Sequence, residues 1–533
     1  MQEFIYRTES IKNEEILDFF VETEDNRLII DSLKERNPII LVGSRGVGKS
    51  FLFRVAEAEL TNQFEEKRIL PVYESFSKSS FVVSKDSERF QHWMLARLCS
   101  KILRTLKKFG FLSKISPSIS ILGGEDSLNL EEKTKIEKIA EEFENSWKNP
   151  TREINTDALP TTDELKDIIE DLCLDLNINR FVIFFDEAAH VFLPEQQRQF
   201  FTLYRDLRSP YITCNAAVYP GVTYYGESFQ PEHDATMVSL DRDIKSPEYI
   251  NYMKKMVEKQ ADSSIIRDIG KNEANFSLLA YASSGNPRIL FKTLLSANKV
   301  NSAQVNKVIR EYYRTNIWSE HSDLAEKYSG HKLLVDWGRR FIEEEVLPGL
   351  NEKNQKNMKS TCYFWIHRDS PQLVKEALRL LAYTGIVRQH SKGIKATRSE
   401  IGTRYMVNLG CLFALEATPT STAIEIVKNL SVSRMSEYGL NHIFYQDLLN
   451  DVSNLTESLD MSEVLRQQMS KSIEVLDITE WQKERLKSIN INTIEEVLRA
   501  KEEKLKEARY VGDKRARRMY SAATTAIYEY LSG

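Results

Sequence analysis

A parallel β-sheet with helices on both faces is the fold predicted for the first half of this 533-residue sequence. Three observations predict it. The apolar run Ile39-Ile40-Leu41-Val42 leads into Gly43-Ser44-Arg45-Gly46-Val47-Gly48-Lys49-Ser50 and then into a helical stretch from Phe51, which is the order strand, glycine-rich turn, helix. A second apolar run, Phe181 to Phe185, ends in two adjacent carboxylates, Asp186 and Glu187. Three more apolar stretches, Arg68–Tyr73, Tyr211–Val218 and Thr236–Leu240, alternate with segments of helical periodicity. Strands alternating with helices make a parallel sheet covered on both sides.

Each element follows in turn. The glycine turn has the composition of a phosphate cradle. Backbone N–H groups wrap an anion, glycines keep side chains out of the way, and the helix that follows points its positive end at the charge. Gly43, Ser44, Arg45, Gly46, Val47, Gly48, Lys49, Ser50 and Phe51 are the candidate cofactor-binding residues, with Lys49 on the phosphates and Ser50 on Mg²⁺. Pro71 lacks an N–H, so the Arg68–Tyr73 strand is expected at a sheet edge. Residues 86–109 have helical spacing, and 111–160 read as an insertion carrying a charged helix near Glu131–Trp147. Asp186 is the candidate metal-holding carboxylate and Glu187 the candidate base that activates water. Because the run reads Asp-Glu-Ala-Ala-His, His190 is assigned to the next helix. Glu195–Leu207 is helical. Arg205 and Arg208 share a face at its end and are candidates for an arginine that reaches a neighbouring subunit's site. Asn215 is the candidate amide that positions the lytic water.

These runs, together with Ser284-Gly285-Asn286-Pro287-Arg288, resemble the AAA+ ATPases, and most closely the Orc1/Cdc6-like initiator group, over residues 15–410. The resemblance implies an AAA+ core over 1–244 and a helical lid over 245–318. Arg288 would reach the γ-phosphate from that lid, and ATP and Mg²⁺ would be the cofactors. It further implies a homo-oligomer that assembles with nucleotide. One departure stands out. The interval Tyr219–Ala235, where the family places its finger, holds no Arg or Lys, so Arg205 and Arg208 would serve instead, or hydrolysis would be slow. STAND-type signalling ATPases share much of this pattern. The alternative is therefore a signalling or anti-phage defence ATPase whose C-terminal half binds a protein effector.

Residues 319–415 are expected to form a winged-helix domain. Ser370-Pro371 opens an amphipathic helix carrying Lys375 and Arg379. A hairpin turning at Ser391-Lys392-Gly393 carries Arg388, Lys392, Lys395, Arg398 and Arg404. Residues 416–475 read as a helical connector. Residues 476–533 hold two similar helix–turn–helix units, and the second resembles a helix-hairpin-helix and the SAM-like C-terminal domain of the bacterial RNA polymerase α subunit. Gly512, Lys514, Arg515, Arg517 and Arg518 would meet duplex DNA there, and residues 501–518 hold eight Lys/Arg against four Asp/Glu. Tyr510 stands where the first hairpin glycine would be.

The net charge of −5 confines any nucleic-acid contact to local patches. Five scattered cysteines without a C-x-x-C pair read as reduced thiols of a cytoplasmic protein. No apolar run is long enough to span a bilayer, so no membrane partner is expected.

Overall fold

The computed structural model describes residues 4–5, 7–77, 87–111, 122, 133–145, 154–187, 194–220, 223, 225–226, 229–327, 331–397, 399–448, 469–476 and 478–531. His190, Arg398 and most of the 111–160 insertion lie outside the described residues. The chain divides into two compact units, Met1–Ile266 with Gly285–Phe291, and Arg267–Ser284 with Lys292–Gly533. The division falls inside the 245–318 stretch expected to be one lid.

The first unit contains, in order, α1 (Glu24–Leu33), β1 (Ile39–Val42), α2 (Lys49–Asn62), β2 (Ile69–Ser75), α3 (Ser87–Lys108), α4 (Lys135–Glu144), α5 (Thr162–Asp175), β3 (Arg180–Asp186), α6 (Pro194–Asp206), β4 (Ile212–Val218), β5 (Thr236–Ser239) and α7 (Tyr249–Glu258). The strands form one parallel sheet in the order β2-β3-β4-β1-β5. Pro71 lies in an edge strand, as its missing N–H requires.

Strand periodicity divides the core in two. Ile40, Phe181, Ile183, Phe185, Cys214, Ala216 and Val218 face a cluster built from α3, α4, α5 and α6. Ile39, Leu41, Val182, Phe184 and Ala217 face the cluster that holds α1 and α2. Each sheet face is therefore sealed by helices, and the polar ends of the strands are left to carry function. Helix starts are fixed locally. Thr134 and Thr161 each form a reciprocal cap with the glutamate three residues on, satisfying N–H groups that the first turn leaves open.

The second unit includes α8 (Ser263–Lys271) from Arg267 onward, α9 (Glu273–Ala282) and α10 (Pro287–Ala297) from Lys292 onward. These are followed by α11 (Ser302–Glu311), α12 (Ile317–Lys327), α13 (Lys332–Arg340) and α14 (Leu347–Lys356). A second sheet is built from β6 (Tyr363–His367), β7 (Val387–Lys395), β8 (Ile401–Val407) and β9 (Ser436–Tyr438) in the order β7-β8-β6-β9, with α15 (Gln372–Thr384) between β6 and β7. Helices α16 (Leu409–Phe413) and α17 (Pro419–Lys428) precede β9.

Two expectations are corrected here. The β7–β8 hairpin does not turn at Ser391–Gly393. Those residues lie within β7, where the register shifts between Gln389 and Ile394 and Gly393 takes φ +70°. The glycine thus serves a bulge and not a turn. The 416–475 stretch is also not wholly helical, because Ser436–Tyr438 pairs in parallel with β6 and completes the sheet.

The C-terminal part contains α18 (Glu480–Lys487), α19 (Ile494–Leu505) and α20 (Asp513–Leu531). It closes over its own core of Ile473, Leu486, Ile491, Ile494, Val497, Leu505, Val511, Ala516 and Met519. The five cysteines are free and buried. Among the described residues no helix is long and apolar enough to cross a membrane, and no cluster of His, Cys, Asp and Glu is arranged to hold a metal.

Candidate functional site

The site lies at the C-terminal ends of β1 and β3. Gly46 and Gly48 take φ +90° and +106°, conformations that a side chain at either position would strain. A Cβ on Gly48 would meet nothing within 4 Å, so the turn leaves room for an anion beside its N–H groups. At Gly46 the neighbours are different. A Cβ there would lie 2.7 Å from Cβ of Arg288 and 2.9 Å from Oδ1 of Asn286.

Lys49 opens α2 and is buried. Its Nζ donates to the carbonyl oxygens of Gly43 (2.6 Å) and Ser44 (3.1 Å) and sits 4.0 Å from the centroid of the Tyr219 ring. Burial pulls its pKa down to about 7. The Asp186 charge opposes that shift, the Arg288 charge adds to it, and Glu187 opposes it again. Ser50 follows, half-buried in the first turn of α2.

Asp186 ends β3 and is buried. Its Oδ2 accepts from the Tyr73 hydroxyl at 2.6 Å, and its Oδ1 accepts from the Glu187 N–H at 2.9 Å. Glu187 adopts φ +53°, a strained conformation for a residue with a side chain. The Glu187 pKa is raised to about 7, first by burial and then by the charges of Asp186 and Glu9, against Arg45 and Lys49. The Ser284–Arg288 motif meets this region through the part that belongs to the first unit. Asn286 Nδ2 donates to the Arg45 carbonyl at 2.8 Å. Burial lowers the Arg288 pKa, the Arg45 charge adds to that shift and Tyr219 opposes it. The structure thus brings together Gly43–Phe51, Asp186, Glu187 and Arg288. Ser50 and Asp186 supply the hard oxygen donors that suit Mg²⁺, and the open turn at Gly48 fits a phosphate.

Asn215 does not join them. It pairs in register with Ile39, the first residue of β1, whereas the glycine turn follows Val42 at the strand's other end. It is fully buried, its Oδ1 accepts from Ile39 N at 3.0 Å, and its Nδ2 donates to Leu33 O at 3.0 Å. With both ends of the amide committed to backbone three residues from the strand's end, it cannot position water at a phosphate. It is a structural amide.

Arg205 and Arg208 also lie at the sheet's N-terminal edge. Arg205 pairs with Asp206 at 2.8 Å. Arg208 pairs with Asp234 at 2.7 Å and donates to its carbonyl oxygen at 2.9 Å. Neither joins the site of its own chain.

Sequence reasoning missed Tyr73, Tyr219 and Glu9. Tyr219 follows β4 directly, where the strand ends beside the glycine turn, and a count along the strand to its last residue would have found it. Tyr73 and Glu9 carried no sequence signal, since their roles depend on pairing of β2 with β3 and on the path of the N-terminal segment.

In the second unit the candidate DNA residues separate. Arg379 forms a two-pronged pair with Glu376 at 2.7 and 2.8 Å, both side chains largely buried. Helix α15 packs against α20. Arg517 donates to the Asp369 carbonyl at 3.2 Å and pairs with Glu502 at 3.4 Å. Lys375 lies near Asp369, Glu376 and Arg517, and burial lowers its pKa. Arg517 therefore joins α20 to Asp369 and to α19, while Arg379 is paired within its own helix. Arg388 is half-buried beside Met406. Lys392, Gly512, Lys514, Arg515 and Arg518 are exposed. Tyr510 adopts φ +67°, the conformation a glycine would take.

A family model described as ORC-CDC6-like matches residues 4–364, more than half of the chain. No curated protein matches. Among solved structures, the Aeropyrum pernix ORC2 protein in ADPNP–ADP complexes aligns at 12% identity over 82% of this chain and 99% of its own, with a TM-score of 0.36. The A. pernix ORC1 protein in complex with DNA aligns at 13% identity over 78% and 98%, with a TM-score of 0.34. AMPPCP-bound DnaA from Aquifex aeolicus aligns at 12% identity over 62% and 83%, with a TM-score of 0.28. At such scores the structural likeness carries no weight, and the assignment stands on the family model. The chain belongs to the ORC-CDC6-like family.

Proposed function

We propose that this protein is an ATP-binding and slowly hydrolysing switch that assembles with nucleotide and contacts duplex DNA through its second unit. The observation that carries the reading is that the glycine turn, Lys49, Asp186, Glu187 and Arg288 are neighbours at one end of the sheet. Lys49 would leave the carbonyls of Gly43 and Ser44 for the phosphates, and the N–H groups from Gly46 to Ser50 would hold the β-phosphate. Ser50 and Asp186 would hold Mg²⁺, which supplies charge neutralisation on the phosphate oxygens when bound. Glu187, with its pKa near 7, is matched to taking a proton from water at neutral pH. Arg288 would meet the γ-phosphate. The missing arginine in Tyr219–Ala235 supports slow turnover unless a second copy donates Arg205 or Arg208.

The test is nucleotide binding, sizing and turnover on wild type and Glu187→Gln. Wild type should hydrolyse ATP, while Glu187→Gln should bind it, turn over at least about 100-fold more slowly and accumulate as the assembled form. If neither protein binds ATP, the reading is wrong.

One observation favours a second reading for the C-terminal half. The face of α15 carrying Lys375 and Arg379 is engaged by Glu376 and by contacts to α20. A helix engaged in this way is less available to a DNA groove, which leaves room for a reading in which the C-terminal half meets a protein effector through its other surfaces. Duplex-DNA affinity across a salt series separates the two, since phosphate contacts weaken steeply with salt.

A further inference from the structure

We propose that Arg242 is the positioning residue that ties the outer side of the glycine turn to the segment carrying Arg288, so that ATP is told from ADP only while this tie is intact. The inference rests on the ATP-switch reading above and deepens it.

Arg242 stands three residues beyond β5. Its Nη1 donates to the Val47 carbonyl at 3.1 Å and to the Gly285 carbonyl at 2.9 Å. Its Nη2 donates to the Tyr252 hydroxyl at 3.3 Å, and the guanidinium lies 5.2 Å from the centroid of that ring. The same hydroxyl accepts from Asn26 Nδ2 at 2.9 Å, and Asn26 Nδ2 also reaches the Val21 carbonyl at 3.1 Å. One guanidinium thus joins the glycine turn, the Arg288 segment and α7, and through Tyr252 it reaches the start of α1. All of these residues belong to the first unit.

The fit is close. Gly285 takes φ +85°, and a Cβ there would lie 3.1 Å from Cβ of Arg242. A second tie runs beside the first, from Asn286 Nδ2 to the Arg45 carbonyl. The peptide groups of an anion-binding turn point their N–H ends inward, so the carbonyls of Arg45 and Val47 are the outward ends of the same peptides. Gripping a phosphate with Gly46 and Gly48 N–H groups therefore moves the atoms that Asn286 and Arg242 hold. Arg242 carries that displacement to Gly285, three residues before Arg288. A lysine could not reproduce the tie, because one ammonium lacks the planar fork that serves three acceptors at once.

The experiment measures affinities for Mg²⁺–ADP and for a non-hydrolysable Mg²⁺–ATP analogue on wild type, Arg242→Ala, Arg242→Lys, Arg288→Ala and the Arg242→Ala/Arg288→Ala pair, with thermal melts of each. Wild type should prefer the ATP analogue. Arg242→Ala and Arg288→Ala should each lose about tenfold of that preference, while ADP affinity stays within about threefold. Arg242→Lys should not restore it, and the pair should be no worse than Arg288→Ala alone, since both act along one route. Should Arg242→Ala unfold, Tyr252→Phe removes one arm of the network and should erode the preference less. The proposal is overturned if Arg242→Ala keeps the preference, if it weakens both nucleotides equally, or if the two substitutions add. A wild type that binds neither nucleotide sinks the underlying reading, and this inference with it.

Discussion

The two ends of the five-stranded sheet are made of similar residues used in opposite ways. At the N-terminal end, Asn215 and Arg208 are matched within the chain. Asn215 is bonded to Ile39 and Leu33, and Arg208 to Asp234. At the C-terminal end, Lys49 is buried with its pKa drawn to about 7, Glu187 is raised to about 7 and sits at a strained φ of +53°, and Asp186 is held by a tyrosine. Matched polar groups add stability, while charges placed at a disadvantage wait for a ligand that changes their surroundings. The lesson is that a polar residue in a strand declares its purpose by which end it occupies.

The largest effect expected from this contrast is at Lys49. Lys49→Met should reduce ATP affinity by at least about 100-fold, because the phosphates lose the buried cation of the glycine turn. Without nucleotide the same change should stabilise the protein. The folded pKa of about 7 lies below the ordinary lysine value of 10.5, so unfolding takes up a proton between those values. The contribution of Lys49 to stability therefore rises with pH from about 7 to about 10.5. The gain from Lys49→Met should be of order 1 kcal/mol at pH 6, after allowing for the lost bonds to Gly43 and Ser44, and should fade towards pH 10. Melts at the two pH values check the sign. A uniform loss of stability would place Lys49 with the matched groups and break the contrast.

Next in size is the opposite experiment. Asn215→Ala strands the buried Ile39 N–H and Leu33 carbonyl, which should cost about 2–3 kcal/mol and lower the melting temperature by several degrees. ATP affinity and turnover of the folded protein should stay within about twofold, because the amide lies at the sheet's far end. Loss of turnover with an unchanged melt would return Asn215 to the catalytic group.

How far the sequence could be read follows the same division. The glycine turn, the Asp186–Glu187 pair and the edge position of β2 were legible because each is a local pattern with a local cause: backbone that must bend, a strand that must end, an N–H that is missing. Asn215 was misread because a polar residue in an apolar strand signals a partner without saying at which end the partner sits. Only the pairing of Asn215 with Ile39 settles that. Gly393 was read as a turn because a left-handed glycine serves turns and bulges equally. Tyr73, Glu9 and Arg242 were illegible, since their contacts join segments tens to hundreds of residues apart.

The smallest expected effects come from the two hairpins of the C-terminal part, where the contrast between matched and open groups recurs at short range. Both turn through a left-handed residue, Asn490 at φ +59° and Tyr510 at φ +67°. In the first, the Glu496 carboxylate accepts from the N–H groups of Asn492 (2.6 Å) and Thr493 (3.1 Å), so the start of α19 is already crowned by an anion of its own. In the second, among the described residues no side chain accepts from the N–H groups of Gly512, Asp513 or Lys514. Arg515 donates to the Tyr510 carbonyl at 2.6 Å and lies 4.7 Å from the centroid of the half-exposed Trp481 ring. Only the second hairpin can therefore offer both backbone donors and fixed cations to a phosphate. If duplex DNA binds here, Lys514→Ala and Arg515→Ala should each weaken it by about three- to tenfold and lower the salt slope by about one. Glu496→Gln should change affinity by less than about twofold, since it leaves the capped N–H groups occupied. Equal effects at the two hairpins would mean that caps do not decide which of them meets DNA. No effect at either, with salt-insensitive capture of a protein partner, would assign this part to docking.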